Sequence, residues 1–428
     1  MTEKLGRAAA ALAVAAISAT IVAGLPTHAA AQSDENLRHR IEAMEQQLQQ
    51  MKDMAKQLDA LKQELAKTQK KASNAAKAAS AEDTRAIKWH LAGYGTANYT
   101  ATDASGENNS FGAGDFNPIF LVGYKDLLLW ESELEFSTLT DGSTKTELEF
   151  SNLNLMATDW LTLSAGKFLS PIGDFQQHLH PTWINKLPDR PAGFVEDGGN
   201  EPLSDVGVMA RGAFPVGSMT LDYAVFAGNG PRLADVADEG VKMEGFGADD
   251  NSNKAFGGRI GLRPLPYLSV GVSGMLSKIK GNAGSGGTVS HGDYDVEDID
   301  AAFTKGNWDV RGEYIRSHLD SLSTALDPAS APVQIPASTW HSWYAQAAYR
   351  LAGVTDNAVL RNFEPVVRYS QFDVSGLSDF TGNEEDRVSV GLDYWFAPSI
   401  VAKIAYENRD FKNKPNEDVF RAQLAFGF

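Results

Sequence analysis

The sequence contains no cysteine. That excludes a disulfide framework, a thiolate metal site, a cysteine nucleophile and a lipoprotein signal. Basic residues are outnumbered: 38 Lys+Arg stand against 55 Asp+Glu, a formal charge of -17. No nucleic-acid partner is expected, because that work needs a dense basic footprint. Long apolar runs are also scarce. The mean hydropathy of -0.27 argues against a helical membrane bundle, which needs about 20 mostly apolar residues per span. A serine nucleophile elbow, a P-loop and a dinucleotide fingerprint are all missing, so no enzyme, no cofactor and no metal centre is expected. These absences suit a soluble acidic protein. They suit a transmembrane β-barrel equally well, since only alternate residues of such a barrel face lipid.

The N-terminal end sets the expected compartment. Lys4 and Arg7 precede a mostly apolar run from Ala8 to Leu25, Pro26 breaks it, and Ala29 and Ala31 supply small residues for a signal peptidase. Residues 1–31 read as a secretory signal peptide. From Leu37 the period is heptad: Leu37, Met44, Met51, Leu58 and Leu65 recur every seven residues, Ile41, Leu48 and Ala55 fill the companion positions, and Lys62 interrupts once. Residues 32–70 therefore predict a periplasmic α-helical coiled coil, which requires partner chains. Residues 71–88, rich in Ala, Lys and Ser, read as a linker.

After residue 88 the period changes to two. Phe420, Ala422, Leu424, Phe426 and Phe428 share one face, and Arg421, Gln423, Ala425 and Gly427 the other. Val388, Val390, Leu392, Tyr394 and Phe396 alternate in the same way with Arg387, Ser389, Gly391, Asp393 and Trp395. About sixteen such segments follow: 89–100, 116–126, 129–138, 145–156, 159–169, 205–215, 217–227, 254–264, 267–277, 294–304, 306–318, 339–351, 361–374, 386–397, 399–410 and 417–428. Most have the length of a tilted bilayer-crossing strand, about 9–11 residues. A parity slip at Leu148, Phe150, Leu153, Leu155 predicts a β-bulge. Long and short connections alternate, with 352–360 the exception among the short ones. The fold class expected is all-β: a 16-stranded antiparallel transmembrane barrel over 89–428, preceded by the coiled coil. Both ends of the barrel then lie on the periplasmic side of the outer membrane. Trp130, Tyr223, Trp308, Tyr314, Trp343, Tyr349, Tyr369, Tyr394 and Tyr406 fall on the lipid-facing parity, where ring and polar tip are both satisfied at the interface.

Sixteen strands leave an aqueous channel, so inward residues become the candidate site. Glu131, Glu133, Glu135 and Glu149 point inward from the early strands. Arg211, Arg259, Arg263, Arg311, Arg368, Arg387, Lys403 and Arg421 point inward from the later ones. This predicts an acidic wall facing a basic one, a field that orders dipolar solutes. The connection 170–204 is the longest and carries Ile172, Phe175, Leu179, Trp183, Ile184 and Leu187, which would be odd on a free surface loop. It is expected to fold into the barrel as a constriction, with His178, His180, Lys186 and Arg190 as its positive or switchable groups.

The stretch Ala165-Gly166-Lys167-Phe168-Leu169-Ser170-Pro171-Ile172-Gly173 resembles the strand-to-loop junction of phosphate-selective-type and related bacterial porins. A coiled coil ahead of the barrel is similar to that of several such porins and of sugar porins. Phe428 looks like the terminal aromatic read by outer-membrane assembly machinery. The resemblance implies a trimeric diffusion channel. The expected function is passive diffusion of small hydrophilic solutes or ions. Alternatives are a siderophore- or metal-uptake porin, and an envelope tether in which the coiled coil binds peptidoglycan and the barrel anchors it. Expected partners are outer-membrane lipid and lipopolysaccharide, two further copies of the chain in a homotrimer, and the barrel assembly machinery.

Overall fold

The computed structural model describes residues 86–428, apart from 113, 196–198, 201, 235–239, 326–328 and 378–383, together with the isolated positions Gln63, Lys67 and Lys70. The expected signal peptide, and the expected coiled coil apart from those three positions, lie outside the described residues.

Sixteen antiparallel strands close into a barrel. They are β1 (Ile87–Thr102), β2 (Asp115–Tyr124), β3 (Leu128–Thr138), β4 (Thr144–Thr158), β5 (Leu161–Leu169), β6 (Ser204–Val216), β7 (Met219–Gly228) and β8 (Ala255–Leu265) in the first half. The second half comprises β9 (Leu268–Lys280), β10 (His291–Lys305), β11 (Trp308–Leu319), β12 (Ser338–Tyr349), β13 (Phe363–Ser375), β14 (Glu385–Ala397), β15 (Ile400–Phe411) and β16 (Glu417–Gly427). Each strand pairs with its sequence neighbours, and β1 closes onto β16 from Tyr94↔Gly427 to Thr102↔Val419. Closure removes the two free edges that an open sheet would expose.

The seam depends on a glycine. Gly93 has φ +154°, and a Cβ there would meet the Asn117 carbonyl oxygen at 2.4 Å and the Phe428 ring at 2.8 Å. With no side chain at 93, Phe428 exchanges two backbone hydrogen bonds with that residue, at 3.0 and 2.9 Å.

The alternating pattern sorts as its chemistry requires. Val388, Val390, Phe396, Ile404, Tyr406, Phe420, Leu424 and Phe426 are exposed on the outer face. Their strand neighbours Arg387, Ser389, Asp393, Lys403 and Glu407 are buried inside. Aromatic pairs on the outer face include Trp308–Tyr349 and Trp343–Tyr369. The register between β3 and β4 shifts at Glu133/Leu134, which makes Glu149 the extra residue of a bulge.

Strand limits stay within three residues of the sequence reading. Gly217, at φ +63°, turns the chain before β7 begins at Met219, two residues later than expected. β9 and β10 run on to Lys280 and His291, where Lys278 and Asp293 pair across the hairpin. Beyond the bilayer a ladder is limited by its own hydrogen bonds, so apolar alternation underestimates its length. The long short-side connection between β12 and β13 holds two 3-10 turns, Leu351–Gly353 and Leu360–Asn362.

Candidate functional site

The 170–203 connection lies against the inner faces of the later strands. Ile172, Phe175, Leu179 and Phe194 pack with Phe168, Met209, Phe226, Met275, Ile315 and Tyr344 in one buried apolar cluster. Leu187 packs with Ala348, Val366 and Ala405, and Trp183 joins Trp395, Val401 and Ala425. The segment thus touches inward residues from β5 round to β16. Aliphatic and aromatic side chains on both partners account for this, because each removes apolar surface from water.

Polar contacts fix the path more closely. Where the segment leaves β5, Gly173 donates its N–H to Ser273 Oγ at 2.9 Å, and the N–H groups of Asp174 and Phe175 donate to the Glu313 carboxylate at 3.1 and 2.9 Å. Gly173 has φ +76°, and a Cβ there would stand 2.1 Å from Glu313 Oε1. Further on, Lys403 donates to the carbonyl oxygens of Thr182 and Asn185. Lys186 pairs with Glu364 at 2.9 Å. Near its far end Ala192 N–H donates to Ser370 Oγ at 3.1 Å, and Asn200 Nδ2 donates to the Ile315 and Trp340 carbonyl oxygens, each at 3.1 Å.

Asp189 is the most heavily engaged loop residue. Its Oδ2 accepts from Arg387 Nη1 at 2.9 Å and from Arg421 Nη2 at 3.1 Å. Its carbonyl oxygen accepts from Arg368 Nη2 at 2.8 Å. Burial opposes ionisation here, but the charges of Arg421 and Arg387 outweigh it and hold the carboxyl well below the usual range. Burial likewise opposes ionisation of Asp174, where the His178 hydrogen bond and the charges of Arg259 and Arg311 hold the carboxyl down.

The sequence-selected groups therefore fall into two sets. Arg259 pairs with Asp300, and Arg311 with Asp309 and Asp174. Arg387 also pairs with Glu385, which receives Arg409 as well, and Arg421 reaches Glu407 at 3.3 Å. These basic residues alternate with carboxylates, so the later strands do not form a wall of one sign. Arg211 does not stand opposite the early glutamates either; it approaches Glu131 at 3.4 Å. The expected two-wall separation is thus replaced by local pairing, as burial of charge demands. Glu133 is enclosed and accepts from Tyr94 Oη at 2.8 Å and Asn117 Nδ2 at 3.2 Å, and Glu149 is buried at the bulge. Arg263 is exposed near the turn end of β8.

Accessibility differs between the two sets. Arg368 is 1% exposed and Lys403 1%, whereas the Arg211 side chain is 42% and that of His178 62% exposed. A cavity of about 190 Å³ is lined by Glu131, Asn152, Gln177, His178 and Arg211 among others. His178 and His180 serve different surroundings. The first bonds Asp174 through Nδ1 at 2.8 Å, while His180 Nε2 is enclosed without a partner. Burial, then the charge of Arg190, pushes His180 down to about 3. No cluster able to hold a metal ion occurs among the described residues. Arg190 itself reaches Gln176 Oε1 at 3.4 Å.

Sequence reasoning missed Asp189, Asp174, Glu313, Glu364, Glu385 and Glu407. The last four carried a signal: each lies on the inward parity of a strand whose basic residues the sequence picks out. Asp189 carried none, because the arginines that hold it lie more than 170 residues away in sequence.

Comparison with known proteins places these features. Residues 250–428 match the family model described as phosphate-selective porin O and P. An uncharacterized protein of Aquifex aeolicus (strain VF5) is 23% identical over 366 residues, 76% of this chain and 78% of that one. Among solved structures, the trimer form of in-vitro folded OmpT from Vibrio cholerae has a TM-score of 0.50 at 14% identity, covering 80% of this chain and all of that one. The anion-selective porin of Comamonas acidovorans reaches 0.51 at 12% identity, again with 80% of this chain and 100% of that one covered. Salmonella typhi OmpF in complex with daunomycin reaches 0.52 at 12% identity, with 80% and 98% covered. The family match begins beyond the Ala165–Gly173 junction, on the strands whose arginines hold Asp189. Residues 250–428 thus match the phosphate-selective porin O and P family, within a 16-stranded barrel that has the fold of outer-membrane porins.

Proposed function

We propose that this chain is an outer-membrane channel for passive diffusion of small hydrophilic solutes or ions, with the 170–204 loop as its constriction. One observation carries this reading. The loop's ion pairs reach β11–β16 and its apolar residues also meet Phe168, Met209 and Phe226 of β5–β7, while the Arg211 side chain on β6 stays 42% exposed. A closed barrel of this strand number is too wide for its own side chains to fill. A loop whose ion pairs to the barrel lie on the later strands leaves a water path beside Arg211. In this reading Glu131, Glu135, Arg211 and His178 border the path, and Lys186, Arg368, Arg387 and Lys403 hold the constriction. The Vibrio cholerae relative described as a trimer supports self-association of this barrel. Purified protein in a planar bilayer is expected to give discrete conductance steps. Their absence at every salt concentration would sink the reading.

The outer face supplies a separate prediction. Val390, 53% exposed near the middle of β14, would face the bilayer midplane. Val390→Arg is expected to lower stability by about 2–4 kcal/mol, read by urea unfolding in lipid vesicles.

Acid should loosen the constriction. His180 is held down to about 3 against an ordinary value of 6.5. Its neutral form is the folded form, so its contribution is complete above 6.5 and declines as pH falls toward 3. Open-channel current noise is expected to rise between pH 7 and pH 4, and to rise less in His180→Gln. Equal pH dependence in both proteins would contradict this assignment.

A further inference from the structure

Asp189 and its arginines have the form of an anion site already filled from within. Three guanidinium groups converge on one loop residue: Arg387 and Arg421 share its Oδ2, and Arg368 takes its carbonyl oxygen. The Arg387 side chain is 5% exposed and Asp189 29%. Arg368 is deeper still, and its Nε and Nη1 have no hydrogen-bond partner. Next to it in register, Ser389 Oγ is also enclosed without a partner. The cluster therefore retains donors beyond those that Asp189 uses. A buried guanidinium with spare N–H groups favours a planar or tetrahedral oxyanion.

We infer that Asp189 is a specificity-determining residue: its carboxylate occupies this arginine cluster and withholds it from small anions passing the constriction. The inference rests on the channel reading above. It predicts a channel that has many inward basic residues yet no anion preference. The remaining members are compensated locally, Arg387 by Glu385, Arg409 by Glu417 and Arg421 by Glu407, so one loop carboxylate decides whether the group carries net positive charge toward the lumen. A unit charge at ion-pair distance in a water-like medium changes an ion's local population about fivefold.

The test is the reversal potential of single channels in a KCl gradient, for the wild type, Asp189→Asn, Asp189→Glu and Arg421→Gln. The wild type is expected to show no anion preference. Asp189→Asn should shift the permeability ratio toward chloride by about fivefold, and phosphate added to the bath should reduce its current. Asp189→Glu should behave as the wild type. Arg421→Gln should shift the ratio the other way, toward potassium, by up to about fivefold, because it leaves Glu407 without its ion pair. This variant keeps the test open if Asp189→Asn fails to assemble. An anion-selective wild type, an unchanged ratio in Asp189→Asn, or a shift toward chloride in Arg421→Gln would each overturn the inference while the channel reading stands. No conductance in the wild type would overturn both.

Discussion

Replacing residues 174–199 with a short Gly-Ser linker is expected to raise single-channel conductance severalfold and to make the barrel less stable. Both effects have one origin. The loop occupies space that a 16-stranded barrel would otherwise leave to water. Ile172, Phe175, Leu187 and Phe194 are each no more than 1% exposed, and burying such a side chain contributes about 1.5–3 kcal/mol. Deleting the segment removes three of them and bares their partners Phe168, Phe226 and Tyr344. Conductance measured beside urea unfolding in vesicles separates the two effects. An unchanged conductance with an assembled barrel would place the loop away from the permeation path.

Arg387→Met is expected to cost about 3 kcal/mol of stability, the lower end for breaking a buried ion pair. The side chain bridges Glu385 and Asp189, and Glu385 is 2% exposed. Removing the cation leaves a buried carboxylate with Arg409 alone, and it leaves Asp189 with Arg421 as its remaining ion pair. Those surviving contacts keep the loss from the upper end of the range. Arg387→Lys should lose less, because it restores charge without the two-pronged donor geometry. A loss below about 1 kcal/mol, the value for a surface pair, would show the network to be solvated.

The barrel was legible because its physics is local. Alternation in β14, β15 and β16 comes from lipid on one side and a polar interior on the other, so Val388 to Phe396 declares its face without reference to any other strand. The parity slip near Glu149 was legible for the same reason. The site was legible only in part. Apolar residues in the 170–204 loop signalled that it must bury something, yet nothing near Asp189 announces Arg368, Arg387 or Arg421. Their meeting depends on how deeply the loop travels and on barrel closure bringing β16 beside β1. The charge pattern, by contrast, was lost for a local reason. Counting inward arginines alone gave a basic wall, whereas Glu385, Glu364 and Glu407 lie beside them and cancel it.

The absence of native cysteine allows the position of the loop and of the path beside Arg211 to be tested by single introduced thiols. Arg211→Cys stands on the proposed path, and Ser370→Cys, a near-isosteric change at 0% exposure, stands behind the loop. A charged membrane-impermeant thiol reagent applied to single channels should change the current through the first and leave the second untouched. Modification of both, or of Ser370→Cys alone, would contradict the placement of the loop and of the path beside it.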